Sequence, residues 1–534
     1  MADSRFLFDP MKNDAGEHSA EHDGKTYVFH TYLAQYCDTP YTDEWENASE
    51  YFKLVIKVPV SIGGKPVEQD FSKAPMLFYI PWGGDRGWTV GAPSALSSRG
   101  READANVICE AFDRGWVVVE PGMRGAANCF AGQPGQPGFR NYGKLPGPLA
   151  DLKAAIRYLR YGTNEKTIPG DKERIWVTGS SSGGCGTTII GTSGNSPFFE
   201  EALKEIGALP GRDDVYGGMP SCPVTVRSWG DPAICWERWG DAPAADADAV
   251  NAYFAKAFAP WFNALQLKAD HDCGSIKKGD LLTTDNYAEY LMQYVLDSGL
   301  KFLKGLGGRK EIEAYLAEKK PANPMYENPE TSRGWITPVF DENDELTEIR
   351  GSWKDFWTYV IGEEAMDPKT PADLQYERAV RGGEEIFCGN GILNEKAGDR
   401  FSKTFNASTP SFGRPEEYGA VFSHAGQKYL QEVRGMEISG EYLQLIDMQR
   451  NSVDPMYFVL GEGAKDADCC RYWYMRAGSV DLVIPIPILI ALTLALQNTG
   501  RTVDTALVWE QGHGVTDDYK PFFPFAEACM AAEK

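Results

Sequence analysis

Apolar positions recur along the chain with two periods, about two and about 3.6 residues, and the order in which the periods alternate predicts the fold class. From Tyr51 to Ile62 the run is rich in β-branched and aromatic residues with partial period-two alternation, which predicts a strand near a sheet edge. Met76 to Ile80 and Trp116 to Val119 predict two more. Each runs into a glycine-rich loop, Pro81-Trp82-Gly83-Gly84-Asp85-Arg86-Gly87 after the first and Pro121-Gly122-Met123-Arg124-Gly125 after the second. Between Pro148 and Arg160, Leu149, Leu152, Ala155, Ile156 and Leu159 fall on one helical face, with Asp151, Lys153, Arg157 and Arg160 on the other, which predicts a crossover helix. Arg174 to Thr178 adds a short buried strand. The stretch 1–230 therefore predicts alternating strands and helices, the pattern of an α/β protein built on a parallel sheet.

From about Gly230 to Ala425 the texture changes to helical stretches (Ala244 to Leu265, Asn286 to Phe302, Lys310 to Lys319) between loops rich in Asn, Pro and Gly. This predicts a mainly helical domain over 231–425, inserted into a core formed by 1–230 and 426–534. Tyr457 to Gly461, Val480 to Leu496 and Thr505 to Val508 then resume the alternation and close the same sheet. The most apolar segment, Leu482 to Leu496, is about 15 residues long, short of the roughly 20 that cross a bilayer. With Pro485 and Pro487 near its start, it is expected to be a buried strand end or loop running into a helix.

The 534 residues, 43% hydrophobic and 24% charged, exclude general disorder. A net charge of −23 repels phosphate backbones and anionic leaflets, so neither nucleic acid nor membrane is an expected partner. Met1 to Asp23 lacks the basic and apolar regions of a secretory signal, and the eleven dispersed cysteines form no CxxC pair. A cytoplasmic location is expected, with no metal site and the cysteines serving as small buried hydrophobes.

Candidate chemistry centres on Gly179-Ser180-Ser181-Ser182-Gly183-Gly184, directly after the strand Arg-Ile-Trp-Val-Thr and before a segment that can continue as a helix. This is Gly-x-Ser-x-Gly at a strand-to-helix turn, where side chains at the flanking glycines would collide with backbone. Ser181 is the candidate nucleophile, and the Ser182 amide one oxyanion donor. The second donor is expected from the loop after Met76 to Ile80, at Gly83 or Gly84.

A serine hydroxyl needs a histidine to take its proton, and in this arrangement the order is Ser, then Asp or Glu, then His. Of six histidines, His18, His22 and His30 precede the elbow, and His271 and His424 fall in or at the edge of the insertion. His513, in Trp509-Glu510-Gln511-Gly512-His513-Gly514 after the last expected strand, is the candidate base, with His424 the runner-up. Asp481, after a short Gly-Ser turn, is the candidate acid; Asp454, Asp466 and Asp468 compete.

Several stretches go beyond the generic elbow: Lys144 to Gly194 with Asp151-Leu152-Lys153-Ala154-Ala155 and Ile168-Pro169-Gly170-Asp171, then Gly194-Asn195-Ser196, Arg212-Asp213-Asp214-Val215, Cys222-Pro223-Val224, Asp454-Pro455-Met456-Tyr457 and Arg476-Ala477-Gly478. Through these the chain resembles bacterial tannase-like and feruloyl-esterase-like serine esterases of the α/β-hydrolase superfamily. The resemblance implies an α/β-hydrolase fold with a large helical lid between nucleophile and acid, a triad of Ser181, Asp481 and His513, and no cofactor. It covers the core well and the insertion poorly, where Lys403 and Phe412-Gly413 echo lid residues. In tannases a second Asp lies two residues beyond the acid and binds galloyl hydroxyls; here that position is Val483, which accepts no hydrogen bond. The expected partner is a small-molecule ester of an aromatic hydroxybenzoic or hydroxycinnamic acid, with galloyl preference weakened. A serine peptidase on the same constellation and a non-catalytic ligand-binding relative are the alternatives.

Overall fold

The computed structural model describes residues 7–533 apart from 40, 42–44, 46, 84–86, 126–128, 131–139, 144, 164–167, 242–244, 246, 248, 321–330, 368, 370–423, 434, 436, 438 and 439. Its centre is a mixed sheet whose main strands are β1 (Asp14–His22), β2 (Lys25–Gln35), β3 (Lys53–Ile62), β4 (Met76–Tyr79), β5 (Val117–Pro121), β6 (Ile175–Ser181), β7 (Gly217–Pro223), β8 (Tyr472–Gly478) and β9 (Thr502–Val508). Their spatial order is β1-β2-β3-β5-β4-β6-β7-β8-β9, and the two-residue strand Lys65–Pro66 pairs with β3. Strands β4 to β9 run parallel to one another, while β1, β2 and β3 form an antiparallel flank, β3 pairing antiparallel with β5.

The helices that frame the site are α1 (Glu102–Asp113), α2 (Gly147–Thr163), α3 (Ser182–Thr192), α4 (Gly230–Trp239), α5 (Ala249–Ala264), α6 (Thr284–Leu306), α7 (Trp353–Ile361), α8 (Pro455–Val459), α9 (Ile486–Asn498) and α10 (Phe522–Ala532). The period-two pattern of the strands sorts the core into two faces. Met76, Phe78, Val117 and Val119 pack with Leu149 and Leu152 of α2, Ile189 of α3 and Leu489 of α9. Leu77, Tyr79 and Val118 point the other way, onto Ile108 and Phe112 of α1 and Phe522 and Phe523 of α10. Helix α9 is buried all round from Ile486 to Leu496, as its unbroken apolar sequence requires. It packs against α6, where Tyr287 donates a hydrogen bond to the Pro487 carbonyl at 2.7 Å. Among the described residues no helix is long and apolar enough to cross a membrane.

Four expectations change. The N-terminal part is not purely parallel, because β1 and β2 form a hairpin on the edge beside β3. Tyr457 to Gly461 is not a strand: Asp454 caps the Met456 amide at 2.9 Å and Pro455 starts the short helix α8. Strand β8 follows instead, and β7, an interior strand third from the β9 edge, had no counterpart in the expected elements. The described residues of 231–425 are mainly helical but include a hairpin of Thr337–Phe340 and Leu346–Arg350.

Candidate active site

Ser181, Asp481 and His513 lie at or beyond the carboxyl ends of parallel strands β6, β8 and β9, where the loops of an α/β sheet converge. Ser181 ends β6 and precedes α3 with φ 60 and ψ −122, a strained conformation for a residue with a side chain. The two flanking glycines make the turn possible. A Cβ on Gly179 would meet the Gly183 carbonyl at 2.7 Å, and one on Gly183 would meet the Ile80 carbonyl at 2.7 Å. The same contact presses the end of β4 against the elbow, so Gly83 follows directly from backbone that touches it. Ser182 is buried at the first position of α3, whose N-terminal dipole favours negative charge beside Ser181.

His513 closes the constellation. Its Nε2 lies 2.8 Å from Ser181 Oγ and its Nδ1 lies 2.9 Å from Asp481 Oδ2. Asp481, three residues past β8, is 2% exposed, and its Oδ1 accepts from the amides of Val483 at 2.8 Å and Ile484 at 3.3 Å. An ionised carboxylate can only accept, so it fixes the ring proton on Nδ1 and turns the Nε2 lone pair to the hydroxyl. The elements thus bring Ser181, Asp481 and His513 together as a continuous hydrogen-bonded row. Val483 is partly buried and packs at the margin of the core. Gly84 and Lys403, like Phe412 and Gly413, lie outside the described residues.

The competing residues are engaged elsewhere. His424 packs against Trp229, rings tilted with centroids 5.2 Å apart, and its Nδ1 stands 3.4 Å from Arg450 Nη1. Burial first, then Arg450 and Lys428, pushes its pKa down to about 3. Asp454 caps α8, with its carboxyl pushed up to about 7 by burial. Asp468 accepts from Asn195 Nδ2 at 2.7 Å, and Asp466 sits in a 3-10 turn, Glu462–Asp466.

Cys222 is a site residue that reasoning from residue chemistry missed. The pairing of β7 with β6 shifts between Ser221 and Pro223, leaving Cys222 at a bulge with φ 42. The bulge turns its thiol inward, so that Sγ, an Asp481 oxygen and a His513 nitrogen all lie within 4.8 Å of one another. Burial first, then Asp481, pushes the thiol pKa well up.

No family model matches the chain, and no curated protein matches it in sequence. Solved structures do. A tannin acyl hydrolase from Lactobacillus plantarum in its native form aligns with TM-score 0.64 and 20% identity, covering 98% of both chains. A Fusobacterium nucleatum tannase aligns with TM-score 0.65 and 21% identity over 98% of this chain and 99% of its own. A tannin acyl hydrolase in complex with ethyl gallate gives TM-score 0.63 and 20% identity, covering 98% of this chain and 99% of its own. The described residues therefore share a tannase-like fold.

Proposed function

We propose that the protein is a serine carboxylesterase of the α/β-hydrolase type, with residues 231–425 forming a lid between two parts of the core, 1–230 and 426–534. One observation carries this reading: the row Ser181 Oγ, His513 Nε2 and Nδ1, Asp481 Oδ2, at 2.8 and 2.9 Å, on a strained strand-to-helix turn. Ser181 attacks the ester carbonyl while His513 takes its proton. Asp481 keeps the imidazole in the reactive tautomer and offsets the charge the ring then carries. The developing oxyanion is met by the Ser182 amide at the helix N-terminus and by an amide of the Gly83-Gly84 loop. His513 then returns the proton to the leaving alcohol, and water repeats the sequence on the acyl-enzyme. No cofactor takes part in these steps.

For the acyl group we propose a hydroxylated aromatic acid, hydroxybenzoic or hydroxycinnamic. The structures of tannin acyl hydrolase with ethyl gallate and with 3,4-dihydroxybenzoate support this choice through the shared fold. Val483 argues for a less hydroxylated acyl group than galloyl. The eleven dispersed cysteines, with no CxxC pair among them, support a reducing, cytoplasmic setting. A hydrolysis screen over gallate, caffeate, ferulate and acetate esters tests the reading: turnover of aromatic esters in preference to acetate is expected, and no turnover of any ester refutes it.

A further inference from the structure

We propose that Glu510 is a positioning residue, gripped by Arg333, Tyr315 and Tyr359 of the inserted segment, and that this clamp sets the loop carrying His513. The inference rests on the esterase reading, since it makes the 231–425 segment part of what places the base.

Glu510 follows β9 by two residues and precedes His513 by three. Its backbone is left-handed, φ 49, a strained state for a glutamate, and its amide donates to Ser479 Oγ at 2.8 Å. Such strain persists only where surrounding groups over-determine it. Here they do so through the carboxylate. Oε1 accepts from Arg333 Nε at 2.5 Å and from the Tyr359 hydroxyl at 2.5 Å; Oε2 accepts from Arg333 Nη2 at 2.8 Å and from the Tyr315 hydroxyl at 2.7 Å. The guanidinium is itself fixed, 0% exposed, with its Cζ 3.8 Å from the Tyr315 ring centre. Next to Glu510, Trp509 donates to the Tyr315 hydroxyl at 2.9 Å and stacks on Trp335 with centroids 5.9 Å apart.

Stability alone does not account for this arrangement, because desolvating a buried ion pair roughly cancels its attraction, and an apolar substitute of like volume serves as well. What the fork of Arg333 adds is direction: two parallel hydrogen bonds fix both the place and the plane of the carboxylate. The loop from Glu510 to His513 hangs from that point, and a misplacement of about 1 Å at a reacting group costs on the order of a hundredfold in rate. Burial pushes the Glu510 pKa up, but Arg333 and the two tyrosine hydroxyls hold it below the ordinary range, so the carboxylate remains a charged acceptor.

The test is the double variant Arg333→Met/Glu510→Met, which removes both charges of the buried pair and leaves only the exposed Glu318 carboxylate, 3.3 Å from Arg333 Nη1 in the wild type, without its partner, alongside Tyr359→Phe, which removes one hydroxyl donor. Thermal melting, ester kcat and KM, and the rate at which a fluorophosphonate labels the serine are measured for each. The double variant is expected to fold, to lose roughly tenfold or more in kcat with KM within about threefold, and to label more slowly by a similar factor. Tyr359→Phe is expected to lose less, in the same direction. A purely structural clamp would lower the melting temperature and leave turnover per folded molecule unchanged; that result overturns the proposal. If the double variant does not fold, Tyr359→Phe decides, and its unchanged kcat and labelling rate overturn the clamp. Wild type that neither hydrolyses nor labels removes the esterase reading and the clamp with it, whereas active wild type with unaffected variants removes the clamp alone.

Discussion

Replacing Asp481 by Asn separates the charge of the acid from its shape, and the hydrogen bonds around it dictate the outcome. Oδ1 receives two amide protons, from Val483 at 2.8 Å and Ile484 at 3.3 Å, while Oδ2 faces His513 Nδ1 at 2.9 Å. An asparagine has one acceptor oxygen and one NH2 group. Turning the NH2 to the amides would set donors against donors and leave buried N–H groups unpaired, at about 1 to 3 kcal/mol each. The oxygen therefore stays with the amides and the NH2 faces Nδ1. That nitrogen must then accept, so the ring proton moves to Nε2, where it points at Ser181 Oγ and the base is lost. A tautomer error of this kind costs on the order of 10⁴ in kcat, or about 5.4 kcal/mol at 1.36 kcal/mol per tenfold. The assay is steady-state hydrolysis of an aryl ester, with circular dichroism and melting as controls. KM should stay within about threefold and the fold should be unchanged. Asp481→Asn turning over within tenfold of wild type, or a loss confined to KM, would refute the reasoning.

Ser181→Ala and His513→Ala should each reduce kcat by about 10⁶, because residues acting as a unit do not lose activity additively. His424→Ala should stay close to wild type in the same assay, and the reverse pattern would move the base. Val483→Asp should raise the ratio of kcat/KM for methyl gallate over methyl cinnamate, since a carboxylate accepts hydroxyl protons that valine cannot; wild type already strongly selective for gallate would sink this inference. The half-buried Asp454 carboxyl, pushed up to about 7, holds its proton more tightly folded than unfolded. Its contribution to stability should therefore fall as pH rises from about 4 to 7, by up to about 4 kcal/mol, and Asp454→Asn, which keeps the cap, should flatten that part of the denaturation profile. Parallel profiles for the two proteins would show that Asp454 ionises freely.

The elbow was legible because its signal is local: strand, three serines and flanking glycines in one stretch of chain. His513 and Asp481 followed from chain order and from the loops after expected strands, although β8, the strand that delivers Asp481, was itself overlooked. Strand β7 was hidden by Gly217-Gly218-Met219-Pro220, poor strand formers by propensity. Tertiary packing explains their presence, since a Cβ on Gly217 would lie 2.3 Å from the Trp176 ring. The β1–β2 hairpin did carry a readable signal in Asp23-Gly24, both with positive φ as a tight two-residue turn requires. Nothing local marks the bulge at Cys222. The grip of Arg333 on Glu510 joins residues 177 apart in sequence, beyond the reach of any periodicity.

Mass-spectrometric mapping of the serine that reacts with a fluorophosphonate bears most directly on the claim that Ser181 is an activated nucleophile. Only a serine whose proton a neighbouring base can take reacts at useful rates. The expected result is a single adduct on the peptide containing Ser181, absent in Ser181→Ala and strongly slowed in His513→Ala. An adduct on another serine, or none on a folded protein, would contradict it.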